Sequence, residues 1–136
     1  MTLNTGDTLI VGEDTFIESI SPVNTYGVVF EDNEETGYFY AVDTKEELVV
    51  LDGLHIYNSA DVTDKTTPSL IQIGWSKNGI LAFLVINQYC HAVFDFEKNV
   101  GYCRNGFPEN NNGWAKNKDR TLTDLLLEEI LSIENK

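Results

Sequence analysis

Between Leu9 and Cys103 the hydrophobic positions recur in short runs rich in β-branched and aromatic residues, with turn residues between them. Helical spacing is almost absent there. The pattern predicts a mainly β fold, an antiparallel meander or sandwich, with strands over residues 9–11, 15–20, 27–31, 37–42, 48–51, 54–57, 69–75, 80–86, 88–95 and 100–103. Asp52-Gly53 and Asn78-Gly79 each separate two apolar runs, and both dipeptides tolerate the positive φ angles of a type I′ hairpin. Two tight hairpins are expected at these points.

A turn at Asn78-Gly79 pairs Trp75 with Ala82, Ile73 with Leu84 and Ile71 with Ile86, all on one face because side chains alternate along a strand. A second turn at Asn87-Gln88 then sets Tyr89 beside Ile86, His91 beside Leu84 and Val93 beside Ala82. The central run, 80–86, is apolar on both faces and needs cover on both. One cover is a C-terminal helix packed on the sheet over residues 121–135, which makes the fold α+β if the helix is counted. Thr121 or Thr123 is its N-cap, Asp124 suits its positive end and Lys136 its negative end. Its apolar stripe is Leu122, Leu126, Ile130 and Ile133, widened by Leu125 and Leu127. Residues 105–120, rich in Gly, Pro and Asn, form a long surface loop before it. The whole is one domain over 1–136, strand-rich from 9 to 104. Segments 21–43 and 76–95 share a strand-turn-strand pattern, too few copies to close a propeller.

Charge sharpens this picture. The net charge of -13 arises within residues 1–64, where fourteen acids face the single Lys45, while eight acids balance eight bases in residues 65–136. Such a chain is a poor ligand for nucleic acid or an anionic membrane, which need Lys and Arg to displace counterions. A basic protein or a cationic ligand fits it better. No apolar leader opens the sequence and the run 80–86 is too short to span a bilayer, so a cytoplasmic protein is expected.

Candidate chemistry is sparse. Cys90 and His91 are neighbours on a strand, where side chains point to opposite faces, so they do not form a nucleophile and base. His91 and Asp95 share a face but stand roughly 13 Å apart at about 3.3 Å per residue. His91 reads as a histidine packed in the sheet. With a turn at Lys98-Asn99, Cys103 lies opposite Phe94 and too far from Cys90 for a disulfide, so two buried free thiols are expected. No CxxC or HxxxH spacing implies zinc, and Asp32-Asn33-Glu34-Glu35-Thr36-Gly37 lacks the spacing of an EF-hand. No catalytic residue, metal or cofactor is expected.

What remains is surface. Glu31, Asp32, Glu34 and Glu35 form the first candidate contacts for a partner, with Tyr38 and Tyr40 on one strand face as apolar anchors. Tyrosines beside carboxylates also suit sugars or cations. Trp114, in the Asn-rich loop ahead of Lys116, Lys118 and Arg120, is an expected exposed anchor.

Several stretches resemble a family of small bacterial proteins whose domain has no assigned function. They are residues 9–22, Tyr26-Gly27-Val28-Val29-Phe30-Glu31-Asp32, Thr36-Gly37-Tyr38-Phe39-Tyr40-Ala41, Ala92-Val93-Phe94-Asp95-Phe96 and residues 101–108. No catalytic residue follows from this resemblance. The general character, small and acidic with no active-site motif, is similar to that of immunity proteins of contact-dependent inhibition systems. It implies a protein that binds and neutralises a cognate toxin, a basic nuclease, through its acids. The alternative expectation is a β-rich module that binds a small molecule or sugar through its tyrosines or the 107–114 loop. An enzyme ranks third.

Overall fold

The computed structural model describes residues 2–63, 65–109 and 113–134. Nine strands precede one helix: β1 (Thr2–Leu9), β2 (Thr15–Ile20), β3 (Tyr26–Asp32), β4 (Thr36–Asp43), β5 (Val49–Asn58), β6 (Ser69–Trp75), β7 (Leu81–Ile86), β8 (Tyr89–Asp95), β9 (Val100–Cys103) and α1 (Asp124–Glu134). They form a five-stranded sheet, β1-β6-β7-β8-β9, and a four-stranded sheet, β2-β3-β4-β5, with every ladder antiparallel. The mainly β expectation holds, in its sandwich form. Val28, Phe30, Phe39 and Leu54 from one sheet meet Ile73, Trp75, Leu84 and Phe94 from the other in a single buried core. The indole N–H of Trp75 crosses between the sheets to donate to Ser19 Oγ at 3.0 Å.

The doubly apolar β7 receives both of its covers. Its second face, with Phe83 and Val85, joins Cys90 and Val93 of β8 against Leu122, Leu126, Leu127, Ile130 and Leu131. Thr123 is the N-cap, its Oγ1 accepting the Leu126 N–H at 3.1 Å. The expected stripe is rotated, since Leu125 is 80 % exposed and Ile133 61 % exposed while Leu131 packs inward. Leu122 lies ahead of the helix, so helical spacing does not aim its side chain. The docking face centres instead on the adjacent pairs Leu126/Ile130 and Leu127/Leu131.

The β6–β7 register is the expected one. Its turn is not type I′, however, because only Gly79 has positive φ (72°) and its N–H donates to the Ser76 carbonyl at 2.9 Å. Positive φ at two successive residues occurs at Asn87 (50°) and Gln88 (66°), the turn into β8. A bulge at His91 then moves the pairing on by one: Leu84 faces Ala92 and Ala82 faces Phe94, in place of His91 and Val93. The next connection uses residues 96–99, so Cys103 faces Ala92 and not Phe94. Both cysteines are buried and free.

Two further expectations fail. In place of the strand at 9–11 there is β1, a mostly polar edge strand that pairs with β6 from Thr2 onward and ends at Leu9. Asp52-Gly53 is no turn at all but the middle of β5, with Asp52 paired to Ala41 and Gly53 to Tyr40. The buried Asp52 carboxylate accepts from Arg120 Nη2, and that ion pair fixes this part of β5 from a distant segment, against a local sequence that favours a hairpin.

Candidate partner-binding face

Alternation along β2 to β5 sends Ile17, Val28, Phe30, Phe39, Ala41 and Leu54 into the core, and the residues between them outward. Register lines those outward residues into transverse rows. Phe16, Glu31, Tyr38 and His55 make one row; Glu18, Val29, Tyr40 and Gly53 make the next. Helix α1 packs on the other sheet, and among the described residues no α-helix lies on this face. Phe16 is 63 % exposed on it.

The aromatic side chains touch one another across the face. Tyr38 stacks on Tyr40 with centroids 5.7 Å apart, His55 meets Tyr38 edge-on at 5.4 Å, and Phe107 meets His55 edge-on at 5.7 Å. Gly53 makes room for this, because a Cβ there would stand 3.2 Å from the Tyr40 ring. Burial first, then the Glu31 carboxylate and Tyr38, raises the Tyr40 phenol above its usual value. Glu31 is therefore an electrostatic neighbour of the tyrosine pair.

His55 is fixed by its neighbours. Asn105 Oδ1 accepts the Phe107 N–H at 2.8 Å, which turns Asn105 Nδ2 toward His55 Nδ1, also at 2.8 Å. Nδ1 is thus the acceptor, and Nε2 carries the proton that is donated to Asn58 Oδ1 at 3.0 Å. Asn58 Nδ2 donates in turn to Asp61 Oδ2 at 3.2 Å. These residues, with Tyr38 and Phe107, line an open groove of about 800 Å³ at the end of the aromatic path. His91 takes no part, packing edge-on against Tyr89 at 4.9 Å.

Of the expected contact residues, Glu31, Tyr38 and Tyr40 share the outer face, and Glu34 and Glu35 are exposed on the β3–β4 loop beside it. Asp32 belongs to a different role. It is fully buried, accepting from the Gly12 N–H (2.8 Å), the Glu34 N–H (2.8 Å) and the Tyr57 hydroxyl (2.6 Å), so it organises the loop from below. Trp114 is also corrected. Its ring is half-buried, 5.8 Å from Phe96 and 6.2 Å from Phe94, closing the end of the core. The exposed aromatics among the described residues are Phe16, Tyr89 and Phe107, and Phe16 was signalled only by its alternation with the buried Ile17.

Among the described residues no group of three or more His, Cys, Asp or Glu is placed to hold a metal ion, and no helix is long and apolar enough to cross a membrane. A family model described as an uncharacterized protein conserved in bacteria (DUF2251) matches residues 9–131. A Haemophilus influenzae protein described as uncharacterized is 39 % identical over 105 residues, which cover 76 % of this chain and 65 % of the relative. The chain therefore spans a little under two thirds of that relative's length. No solved structure matches.

Proposed function

As the chain belongs to this family of bacterial proteins, whose description brings no activity with it, we propose from its own surface that it is an immunity-type protein. In this reading it binds a cognate toxin, a basic nuclease, and occludes the toxin's active site. The observation that carries it is the outer face of the β2–β5 sheet, where Phe16, Tyr38, Tyr40 and His55 lie among Glu18 and Glu31 beside the exposed Glu34 and Glu35. Acids at the rim speed association with a basic protein, and aromatics supply the area that holds it. The reading puts the protein in the cytoplasm, where a nuclease toxin meets its substrate.

The test is affinity capture of the product of the adjacent upstream gene, followed by charge reversal of Glu31, Glu34 and Glu35. Capture that is lost on reversal and weakens with salt is the expected result. No capture, or capture indifferent to the reversal, removes the reading.

The groove bounded by Tyr38, His55, Asn58, Asn105 and Phe107 favours a second reading, a module for a small molecule or sugar. Thermal stabilisation by a saccharide or cationic metabolite would support it. A screen with no shift would end it.

A further inference from the structure

The four strands of the open sheet contain twelve aromatic or acidic residues, counting Phe, Tyr, Asp and Glu, but no Lys or Arg. Glu18 and Glu31 accordingly have no ion-pair partner among the described residues.

Neighbouring strands lie about 4.8 Å apart, so Phe16 and Tyr38 flank Glu31 on either side in the same row. In the next row Glu18 and Tyr40 stand on either side of Val29, which is only 4 % exposed although it points outward. The result is a face on which an apolar centre, two carboxylates and three aromatic rings stand side by side. A planar cation suits this combination better than a spherical one. A guanidinium can lie against a ring face while its N–H fork meets a carboxylate, whereas an ammonium is more strongly hydrated and presents no flat surface.

We propose that this face seats an arginine side chain of a basic protein partner, with Glu31 as the paired carboxylate, Glu18 as the second acid, and Phe16, Tyr38 and Tyr40 as the stacking surfaces. The inference rests on the protein-binding reading above and deepens it by naming the group recognised. It also brings in Phe16 and Glu18, neither of which that reading's charge reversal touches. Charge complementarity selects the occupant, because a sheet face with two acids that form no ion pair and with no Lys or Arg on its strands disfavours an acidic or apolar partner.

The test titrates the full-length, isotope-labelled protein with a capped Gly-Arg-Gly peptide at low salt and follows ring and backbone resonances. Expected are shifts and intermolecular NOEs from the arginine side chain to Phe16, Tyr38 and Tyr40, with a Gly-Lys-Gly peptide binding several-fold more weakly. E31Q should weaken binding by about tenfold or more, in line with loss of a charge-assisted pair. E46Q/E47Q, on the β4–β5 loop away from the face, should leave it unchanged. F16S serves as the second variant, because the Phe16 side chain is 63 % exposed and its loss should leave folding intact.

Equal shifts along all acidic loops, or equal affinity for E31Q and wild type, overturn the inference. If the upstream toxin binds but E31Q and F16S leave its affinity unchanged, this inference fails while the immunity reading stands. If no toxin binds yet the arginine NOEs appear at these rings, the inference stands and the immunity reading fails.

Discussion

Arg120 and Asp52 form an ion pair sealed inside the molecule, each side chain 1 % exposed, between the lead into α1 and the middle of β5. Gly101 of β9 lies against it, since a Cβ at that position would stand 3.1 Å from Asp52 Oδ2. Nε and Nη1 of Arg120 have no hydrogen-bond partner among the described residues, so the guanidinium is only partly compensated for its loss of water. Asp52→Ala alone should cost about 3–5 kcal/mol by stranding a buried cation. Replacing both residues together, with Asp52→Leu and Arg120→Met, should recover most of that loss. Urea denaturation of the two variants checks it, and a double variant as unstable as the single one contradicts the argument.

Asp32 and its exposed loop neighbours should separate cleanly in stability. Asp32→Ala removes the acceptor for two backbone N–H groups and the Tyr57 hydroxyl, and hydrogen bonds to a charged group are worth about 1.5–3 kcal/mol each. A loss of about 3 kcal/mol or more is expected from thermal unfolding. Glu35→Ala, on the surface, should stay within about 0.5 kcal/mol of wild type. Comparable losses for the two would show that the loop is not held through Asp32.

The difference between Asp32 and Glu35 also marks how far the sequence could be read. Alternation and the Asn78-Gly79 turn were enough for the β6–β7 register and for Tyr38 and Tyr40 to share one face of their strand, and helical spacing was enough for the C-terminal helix. These are local features. Asp52-Gly53 misleads because its true partner, Arg120, lies 68 residues away, and Asp32 misleads because its acceptors' donors come from Gly12 and Tyr57. The bulge at His91 follows from how β8 fits β7, and β1 gains its strand character by pairing with β6, since little of its own sequence is apolar. Phe16 carried the alternation signal, yet only the full sheet shows that it stays 63 % exposed.

His91 should make the protein acid-sensitive. Burial, and secondarily Arg104, pushes its imidazole down to about 4 from the usual 6.5. A group whose folded pKa lies below its unfolded one contributes stability that is complete above the unfolded value and is lost as pH falls toward the folded one. Thermal midpoints should therefore decline between about pH 6.5 and 4, and His91→Gln should flatten that part of the profile. An unchanged slope in the variant would assign the decline to other groups.

Tyr57 should act at the opposite end. Burial, then the hydrogen bond to Asp32 and that residue's charge, raises its phenol well above the usual 10. A raised pKa gives stability that is complete below the unfolded value and falls away as pH rises above about 10. Tyr57→Phe should weaken that alkaline decline while losing the hydrogen bond at neutral pH. Ultraviolet titration should show one tyrosine that ionises only on unfolding, and its absence in the variant identifies the residue.

Gly53 links the fold to the proposed arginine seat. Tyr40 Cδ1 and Cε1 would both stand 3.2 Å from a Cβ at this position, so Gly53→Ala asks the ring to move by a few tenths of an ångström and Gly53→Val asks for more. Because Tyr40 stacks on Tyr38, the displacement passes to the second ring, and both lie on the exposed face where the core does not resist them. Gly53→Val should therefore cost little stability, about 1 kcal/mol, since a β-branched residue also favours the strand. It should nonetheless weaken binding of the arginine peptide several-fold by spoiling the stacking surface. A valine variant that binds like wild type would show that the tyrosine pair is packing for the sheet and not a contact for a partner.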